Sequence, residues 1–212
     1  MSKKDKKYII YKVVLLGDEN VGKTSIINRF KNDIFSEKYE PTLGLDFQTK
    51  SITIDNNIVK LLLYDTSGQE KFRPLLPLYI REARIIFLIY DVTNQESFTN
   101  ISKWQEFLKD ITKENEIFIL IGNKIDLFNR VISQEEGKNL ADNNNYIFKE
   151  VSTFTRDGIE DLFLNILPNQ IKQQLVTSEK DMKDPEEEKL KLSLKENFDL
   201  KKKKEKCCRC FI

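Results

Sequence analysis

One glycine-containing segment, residues 17–24, constrains the fold of this 212-residue chain more than any other feature. It reads Gly-Asp-Glu-Asn-Val-Gly-Lys-Thr and fits the pattern G-x-x-x-x-G-K-[ST]. An apolar run, residues 9–16, precedes the segment, and a helix-like stretch, residues 24–30, follows it. In such a strand–loop–helix unit the loop N–H groups and the helix N-terminus face the same anion, so the pattern predicts a phosphate site. An ordinary glycine-containing turn is the less favoured alternative.

Two side chains of this loop suit a nucleotide bound together with Mg²⁺. Lys23 is placed to reach the β- and γ-phosphates, and the Thr24 hydroxyl is placed to ligate the metal. A second apolar run ends at Asp65, whose carboxylate is expected to hold Mg²⁺ through water. Thr42 is expected to add a second hydroxyl ligand.

The segment that follows Asp65 supplies groups for hydrolysis. The N–H of Gly68 is expected to meet the γ-phosphate. The Gln69 side chain is expected to orient the attacking water, which makes Gln69 the predicted catalytic residue.

A further segment, Asn123-Lys124-Ile125-Asp126, predicts which base is bound. It follows a buried-looking run, residues 116–122, so it should lie at the carboxyl end of a central strand, where open α/β sheets bind ligands. The Asp126 carboxylate can accept hydrogen bonds from the guanine N1–H and exocyclic amine, a donor pair that adenine lacks. Alone this segment is a weak pattern, but together with the loop it predicts a GTP site.

These segments, in this order and spacing, resemble the Ras superfamily of small GTPases over about residues 8–175, and within it the Rab proteins. The Rab resemblance rests on residues 43–47, 60–65 and 71–81. Of these, residues 43–47 and 76–81 are most like the Golgi-trafficking branch of the Rab proteins. The resemblance implies an α/β P-loop NTPase small G domain, with a mostly parallel central sheet, one antiparallel hairpin strand and helices on both faces. It implies a GTP/GDP switch that recruits effectors to control vesicle-mediated membrane traffic.

The resemblance also assigns roles to individual residues. Ser152 and the N–H of Thr153 are expected to bind guanine O6. An aromatic triad of Phe47, Tyr64 and Tyr79 is expected at the effector surface, with Tyr64 in place of the family's tryptophan. The implied nucleotide contacts are Glu19, Asn20, Val21, Gly22, Lys23, Thr24, Ser25, Phe35, Thr42, Gly68, Asn123, Lys124, Asp126, Ser152, Thr153 and Phe154.

Two further residues depart from the family pattern. Glu19 occupies the loop position that faces the γ-phosphate, where the family usually carries a small or neutral residue. Either its carboxylate crowds the catalytic water, Gln69 and an incoming arginine, or it turns into solvent. Phe154 stands where the family has a lysine lying along the base. Because Ser152 and the N–H of Thr153 can still bind guanine O6, guanine specificity is expected to survive this change, while its effect on affinity is open.

The rest of the chain is organised around one domain. Residues 1–7 form a basic extension, residues 8–175 the GTP-binding domain, residues 176–206 a flexible charged tail, and residues 207–212 a lipid-attachment terminus. With 40% apolar residues the domain can bury one sizeable core.

Apolar periodicity predicts the main elements of that domain. Continuous apolar runs at residues 13–16, 85–90 and 117–121 predict strands covered on both faces. Residues 51–54 and 58–64 predict a hairpin, and apolar spacings of three and four predict one helix from Gln95 to Ile111. The last helix, 159–167, is expected either to end at Pro168 or to kink and continue to Leu175.

The three cysteines, Cys207, Cys208 and Cys210, lie behind a polybasic run, residues 201–206. A metal site or disulfide is a poor interpretation for three sulfurs at a free terminus in a cytosolic protein. Cysteines behind basic residues are typical of prenyl anchors, although Arg209 prevents a C-a-a-X box. We predict geranylgeranyl groups on two of the three.

Composition limits the remaining possibilities. The net charge is +1, and the absence of histidine removes mechanisms that need an imidazole. The sequence has neither a signal peptide nor an apolar run of the roughly 18 residues that a membrane span needs. We expect a monomer on the cytoplasmic face of Golgi or endosomal membranes, with a cytosolic pool and no nucleic-acid partner. The implied partners are effectors, an exchange factor, a GTPase-activating protein, a prenylation escort and a GDP-dissociation inhibitor.

Three other functions compete with this interpretation. A metabolic P-loop kinase or ATPase would not need Asp126. A GTP-binding scaffold with little hydrolysis would result if Glu19 silences Gln69. A Ras- or Rho-like signalling GTPase would share the pocket but is disfavoured by the Phe47 element, by the switch II segment and by an ending that is not a C-a-a-X box.

Overall fold

The computed structural model describes residues 8–36, 42, 45–55, 57–67, 74–112 and 115–181. The chain divides into two units, Met1–Pro168 and Asn169–Ile212. Within the described part of the second unit the backbone is helical.

The first unit is built on one mixed sheet. The strands of the described residues are β1 (Tyr8–Leu16), β2 (Leu45–Ile54), β3 (Asn57–Thr66), β4 (Ile85–Asp91), β5 (Ile117–Asn123) and β6 (Ile147–Glu150). Their order is β2-β3-β1-β4-β5-β6, and β2 pairs antiparallel with β3 while the other pairs are parallel. The predicted fold class, mostly parallel with one antiparallel hairpin, is confirmed.

Helices of the first unit cover both faces of this sheet. They are α1 (Lys23–Asn32), α2 (Leu76–Ile80), α3 (Gln95–Thr99), α4 (Ile101–Lys109), α5 (Gln134–Asn143) and α6 (Ile159–Asp161), followed by a π-helical turn (Leu162–Ile166). The last helix, α7 (Leu167–Asp181), begins at the end of the first unit and continues into the second. Among these described helices, none combines the length and the apolar content that crossing a membrane requires.

Alternate residues of the central strands pack against different helices. Leu88 of β4 belongs to a core cluster with Trp104 of α4. The next residue back, Phe87, has its ring centre 5.7 Å from that of Phe163, which in turn stacks at 3.9 Å on Phe30 of α1. Every residue of β4 is buried, as expected for a strand covered on both faces.

The single helix predicted from Gln95 to Ile111 is wrong, because the structure divides it into α3 and α4 at Asn100. The Thr99 hydroxyl donates to the Gln95 carbonyl and the Ser102 hydroxyl donates to the Thr99 carbonyl. Such local side-chain bonds compete with a regular helix. The Asn100 carboxamide is turned toward Asp18, 2.7 Å away, and residues 110–111 lie in a turn after α4.

The alternative in which the last helix ends at Pro168 is also wrong. The N–H of Leu167 bonds to the carbonyl of Leu162, five residues earlier, and α7 continues to Asp181. Pro168 has no N–H for the next backbone bond, and the wider π-helical turn directly before it carries the chain into α7. Residues 176–181 are therefore helical, where the sequence predicted the start of a flexible tail.

The parallel strands place the sequence motifs at one edge of the sheet. β1 ends before the loop of residues 17–22, β3 ends at Thr66, β4 at Asp91 and β5 at Asn123. Because carboxyl ends of parallel strands share an edge, the four segments meet there.

Candidate nucleotide-binding site

The phosphate loop and the N-K-I-D segment are in direct contact. Gly22 has φ 96°, and a Cβ at this position would lie 2.2 Å from the Asn123 carboxamide nitrogen. The same nitrogen donates to the Val21 carbonyl at 2.8 Å, which fixes its position. Only glycine therefore fits both the positive φ of residue 22 and its short distance from Asn123. Helix α1 begins directly afterwards at Lys23, with its N-terminus at the loop. Two motifs separated by about a hundred residues thus form one surface.

Lys23 is buried within the loop. Its side chain is 6% exposed, and its ammonium donates to the carbonyls of Gly17 and Asp18 at 2.8 and 2.6 Å. Burial lowers the pKa of Lys23 to about 8, against the attraction of Asp65, Asp18 and Glu19. A poorly solvated cation held by two neutral acceptors is well suited to bind an anionic phosphate.

Three oxygen-bearing side chains converge beside Lys23. Asp65 Oδ2 accepts from the Thr24 hydroxyl at 2.6 Å and from the Thr42 hydroxyl at 3.2 Å, and the two hydroxyl oxygens are 2.9 Å apart. Asp65 is 2% exposed, and burial raises its pKa. Its other oxygen, Oδ1, is buried with no hydrogen-bond partner among the described residues.

This set of oxygens fits Mg²⁺, which binds proteins through hard oxygen ligands. The described residues contain no group of three or more His, Cys, Asp or Glu that could hold a metal ion. One carboxylate and two hydroxyls leave several coordination positions to water and phosphate oxygens, as is usual for Mg²⁺ at nucleotides.

Asp18 ties the phosphate loop to the helices beside it, which sequence reasoning missed. Its carboxylate accepts from the Asn100 carboxamide at 2.7 Å and from the Trp104 indole N–H at 2.9 Å. These contacts join residues more than 80 positions apart, so no local pattern reveals them. They anchor the phosphate loop to Trp104 of α4 and to Asn100, the residue between α3 and α4.

Asp126 is held by a serine from the next loop. Its Oδ1 accepts from the Ser152 hydroxyl at 2.5 Å, and the Ser152 oxygen accepts from the Thr155 N–H at 3.0 Å. The sequence predicts that Ser152 binds guanine O6, whereas in the structure its hydroxyl orients the Asp126 carboxylate. Thr153, the other predicted O6 contact, is buried beside it. Lys124 lies in a positive-φ conformation and forms an ion pair with Asp91 at 2.7 Å.

Phe35 and Phe154, two of the predicted nucleotide contacts, lie against each other. Their ring centres are 5.4 Å apart and their planes form an angle of 78°. Phe154 is 55% exposed, a large fraction for a phenylalanine. Of the loop residues, Glu19 and Asn20 are exposed, and Ser25 is partly buried in the first turn of α1.

The three residues of the predicted effector triad lie together in the structure. The ring centres of Phe47 and Tyr64 are 5.9 Å apart, and those of Tyr64 and Tyr79 are 6.0 Å apart. Phe47 is 58% exposed, while Tyr64 and Tyr79 are partly buried. The Lys12 ammonium lies 4.7 Å from the centre of the Tyr64 ring.

Several predicted functional residues lie outside the described residues. They are Gly68, Gln69, Cys207, Cys208 and Cys210.

Comparison with known proteins gives one consistent family. The sequence model of the Ras family matches residues 12–173. Ras-related protein Rab-18-B of Danio rerio is 40% identical over 153 residues, 72% of this chain and 75% of that protein. Ras-related protein Rab-18 of Caenorhabditis elegans is 40% identical over 157 residues, 74% of this chain and 77% of that protein. Ras-related protein RABA1g of Arabidopsis thaliana matches at the same identity over 159 residues, 74% of this chain and 73% of that protein.

Proposed function

The chain belongs to the Ras family of small GTPases, and within it to the Rab proteins, and from that premise we propose how its own residues perform the family's reaction. It is a GTP/GDP-regulated switch of membrane traffic. The sheet edge described above binds the nucleotide, with the phosphates at residues 17–25 and guanine at Asp126. The Rab-18 and RABA1g relatives match this chain at the same identity, so identity does not choose between these two groups. Residues 43–47 and 76–81 support a role at Golgi or endosomal membranes.

The phosphate half of the site binds and holds the reacting end of GTP. The Lys23 ammonium exchanges its loop carbonyls for phosphate oxygens, which are stronger acceptors because they carry charge. Thr24, Thr42 and Asp65 would hold Mg²⁺, which neutralises phosphate charge when bound. Gln69 orients the attacking water, and loss of the γ-phosphate releases the grip of Thr42 and the Gly68 N–H.

The observation that carries this proposal is the bond from Asn123 to the Val21 carbonyl at 2.8 Å. It fixes the segment that contains Asp126 against the phosphate loop. A P-loop kinase or ATPase has no need for a carboxylate at that position, whereas a guanine site requires one. The arrangement therefore favours guanine nucleotides over adenine nucleotides.

Competition between nucleotides tests the proposal. Purified full-length protein is loaded with a fluorescent GDP analogue, and its displacement by GTP, GDP and ATP is measured with Mg²⁺ and with EDTA. GTP and GDP should displace the analogue at similar concentrations, ATP should fail at a thousandfold excess, and EDTA should speed release. Displacement by ATP at the concentration that suffices for GTP would show that the base assignment is wrong.

We further propose that residues 8–175 form the GTP-binding domain, and that the terminal cysteines carry the lipid that holds the protein on membranes. One lipid chain binds membranes only marginally, so two prenyl groups, or one with the basic run 201–206, are needed. The family's partners, namely effectors, exchange factor, GTPase-activating protein, prenylation escort and GDP-dissociation inhibitor, belong to this cycle. Changing all three cysteines to serine should leave a nucleotide-binding protein in the soluble fraction of cells. Membrane retention of that variant would contradict the lipid proposal.

A further inference from the structure

Asp18, the second residue of the phosphate loop, is the point at which a distant helix holds this loop. Its two carboxylate oxygens have separate donors, because Oδ2 accepts from the Asn100 carboxamide at 2.7 Å and Oδ1 accepts from the Trp104 indole N–H at 2.9 Å. Trp104 is 1% exposed and belongs to the core cluster, where close packing fixes its side chain. The Asp18 carboxylate is therefore attached to a fixed part of the core.

The backbone of the same residue contacts the phosphate-binding cation. The Asp18 carbonyl accepts from the Lys23 ammonium at 2.6 Å, and the Gly17 carbonyl accepts from it at 2.8 Å. Asp18 thus bonds to a core tryptophan through its side chain and to Lys23 through its backbone. Its position in the loop and the position of the cation depend on each other.

Residues 18–21 form an arc of the loop that is tethered at each end. At the end opposite Asp18, the Val21 carbonyl accepts from the Asn123 carboxamide at 2.8 Å. Between the two tethers, Glu19 and Asn20 are exposed, and Asn20 has φ 60°, which is uncommon for a residue other than glycine. An exposed arc in such a conformation depends on its ends for its shape. Losing one tether should let its N–H groups turn away from a bound phosphate.

We propose that Asp18 is a positioning residue of the phosphate site, whose carboxylate, bonded to Asn100 and Trp104, holds the loop in the shape that binds the β-phosphate. This inference rests on the proposed nucleotide site. A loop that is already ordered loses less conformational freedom on binding, so the tether raises affinity without touching the ligand. Removing one of its two donors should weaken GDP binding about tenfold, a ratio that corresponds to about 1.4 kcal/mol.

A comparison of GDP with GMP separates positioning of the loop from general stability. Both nucleotides carry guanine and ribose, but only GDP has the β-phosphate that the loop and Lys23 are expected to bind. A loosened loop should therefore weaken GDP more than GMP. A loss of folding stability that still leaves the protein folded should not change the ratio of the two affinities.

Three variants and one control test the tether. Asn100→Ala removes one donor without changing the charge, and Asn100→Asp places a second carboxylate opposite that of Asp18. The double variant Asp18→Asn/Asn100→Asp reverses the pair, because the new amide can donate to the new carboxylate while its oxygen still accepts from Trp104. Leu108→Ala is the matched control, since it removes packing from the same helix and the same core cluster without touching the tether.

Displacement of a fluorescent GDP analogue by GDP and by GMP gives both affinities for each purified full-length protein, and thermal unfolding confirms that each is folded. Asn100→Ala should lower the GDP-to-GMP affinity ratio about tenfold. Asn100→Asp should lower this ratio further, because two carboxylates repel each other. The double variant should return to the wild-type ratio, and Leu108→Ala should keep it.

Three results would overturn the proposal while leaving the nucleotide site intact. The first is an unchanged ratio in Asn100→Ala, which would mean that this bond does not shape the loop. The second is an equal fall in Leu108→Ala, which would mean that packing of α4 is responsible. The third is a double variant no better than Asn100→Asp, which would mean that Asn100 does not act through Asp18. Wild-type protein that binds neither nucleotide would instead overturn the proposed function, and this inference with it.

Discussion

The two halves of the nucleotide site are built differently. In the phosphate half, Lys23 and Asp65 are buried, and their side chains bond to the loop backbone and to the Thr24 and Thr42 hydroxyls. In the base half, one carboxylate is held by the Ser152 hydroxyl, and two aromatic rings are left partly exposed.

The two halves have different tasks, because one binds phosphates and the other selects the base. Phosphates must exchange for existing hydrogen bonds, so their binding depends on charge and is sensitive to any single polar group. Selection of the base depends instead on which donors and acceptors its edge presents to the carboxylate. Substitutions in the two halves should therefore produce different kinds of defect.

The largest effect is expected in the base half, from Asp126→Asn. The amide oxygen can still accept from the Ser152 hydroxyl, so the amide nitrogen should face the base. A donor there repels the guanine amine and suits xanthine, whose C2 oxygen accepts. Since a site built for one hydrogen-bonding pattern rejects its mismatch by about 10⁴, preference should reverse from GTP to xanthosine triphosphate.

Competition of the two triphosphates against a fluorescent GDP analogue, or a xanthosine analogue for the variant, measures that reversal. Asp142→Asn is the matched control, because Asp142 is an exposed residue of helix α5. Unaltered preference in Asp126→Asn would mean that this carboxylate does not read the base.

A smaller effect is expected in the phosphate half, from Thr24→Asn. The change removes a hydroxyl that bonds to Asp65 and lies 2.9 Å from the Thr42 hydroxyl. Loss of this metal-binding oxygen should weaken GTP more than GDP, since the γ-phosphate shares the metal, and we expect the GTP-to-GDP affinity ratio to fall at least about tenfold.

Titration of both nucleotides at fixed Mg²⁺ gives that ratio. Thr99→Asn, a threonine exposed on helix α3, controls for the substitution itself. If the ratio is the same in Thr24→Asn and wild type, Thr24 is not a metal ligand.

The phosphate half was largely predictable from sequence, because its residues lie in short motifs whose spacing fixes their geometry. The family resemblance implied the fold class, and the continuous apolar runs agreed with it, since strands buried on both faces need covering helices. Helix α5 was missed, although Ser133 and Glu136 form a capping box that the sequence displays.

Long-range contacts explain what could not be predicted. The bonds from Asn100 and Trp104 to Asp18 depend on how distant segments pack. The bond from Asn100 lies at the break in the predicted helix. The use of the Ser152 hydroxyl on Asp126 likewise appears only when two loops meet. A local sequence pattern therefore predicts neither the contacts of Asp18 nor the bond from Ser152 to Asp126.

The smallest effect is expected from Glu19, the departure within the phosphate half. The structure leaves its side chain exposed, and its attraction to Lys23 is weaker than that of Asp65 or Asp18. Interactions between exposed charges are worth about 0.2–1 kcal/mol, so removing this charge with Glu19→Gln should raise the hydrolysis rate by less than about fivefold. Glu19→Gly should raise it further only if the side chain also crowds the catalytic water. Single-turnover hydrolysis of protein preloaded with GTP decides between these cases, with Glu135→Gln, an exposed glutamate of α5, as control. An increase of a hundredfold in Glu19→Gln would instead place the carboxylate at the reacting phosphate and make the wild-type protein a GTP-bound scaffold.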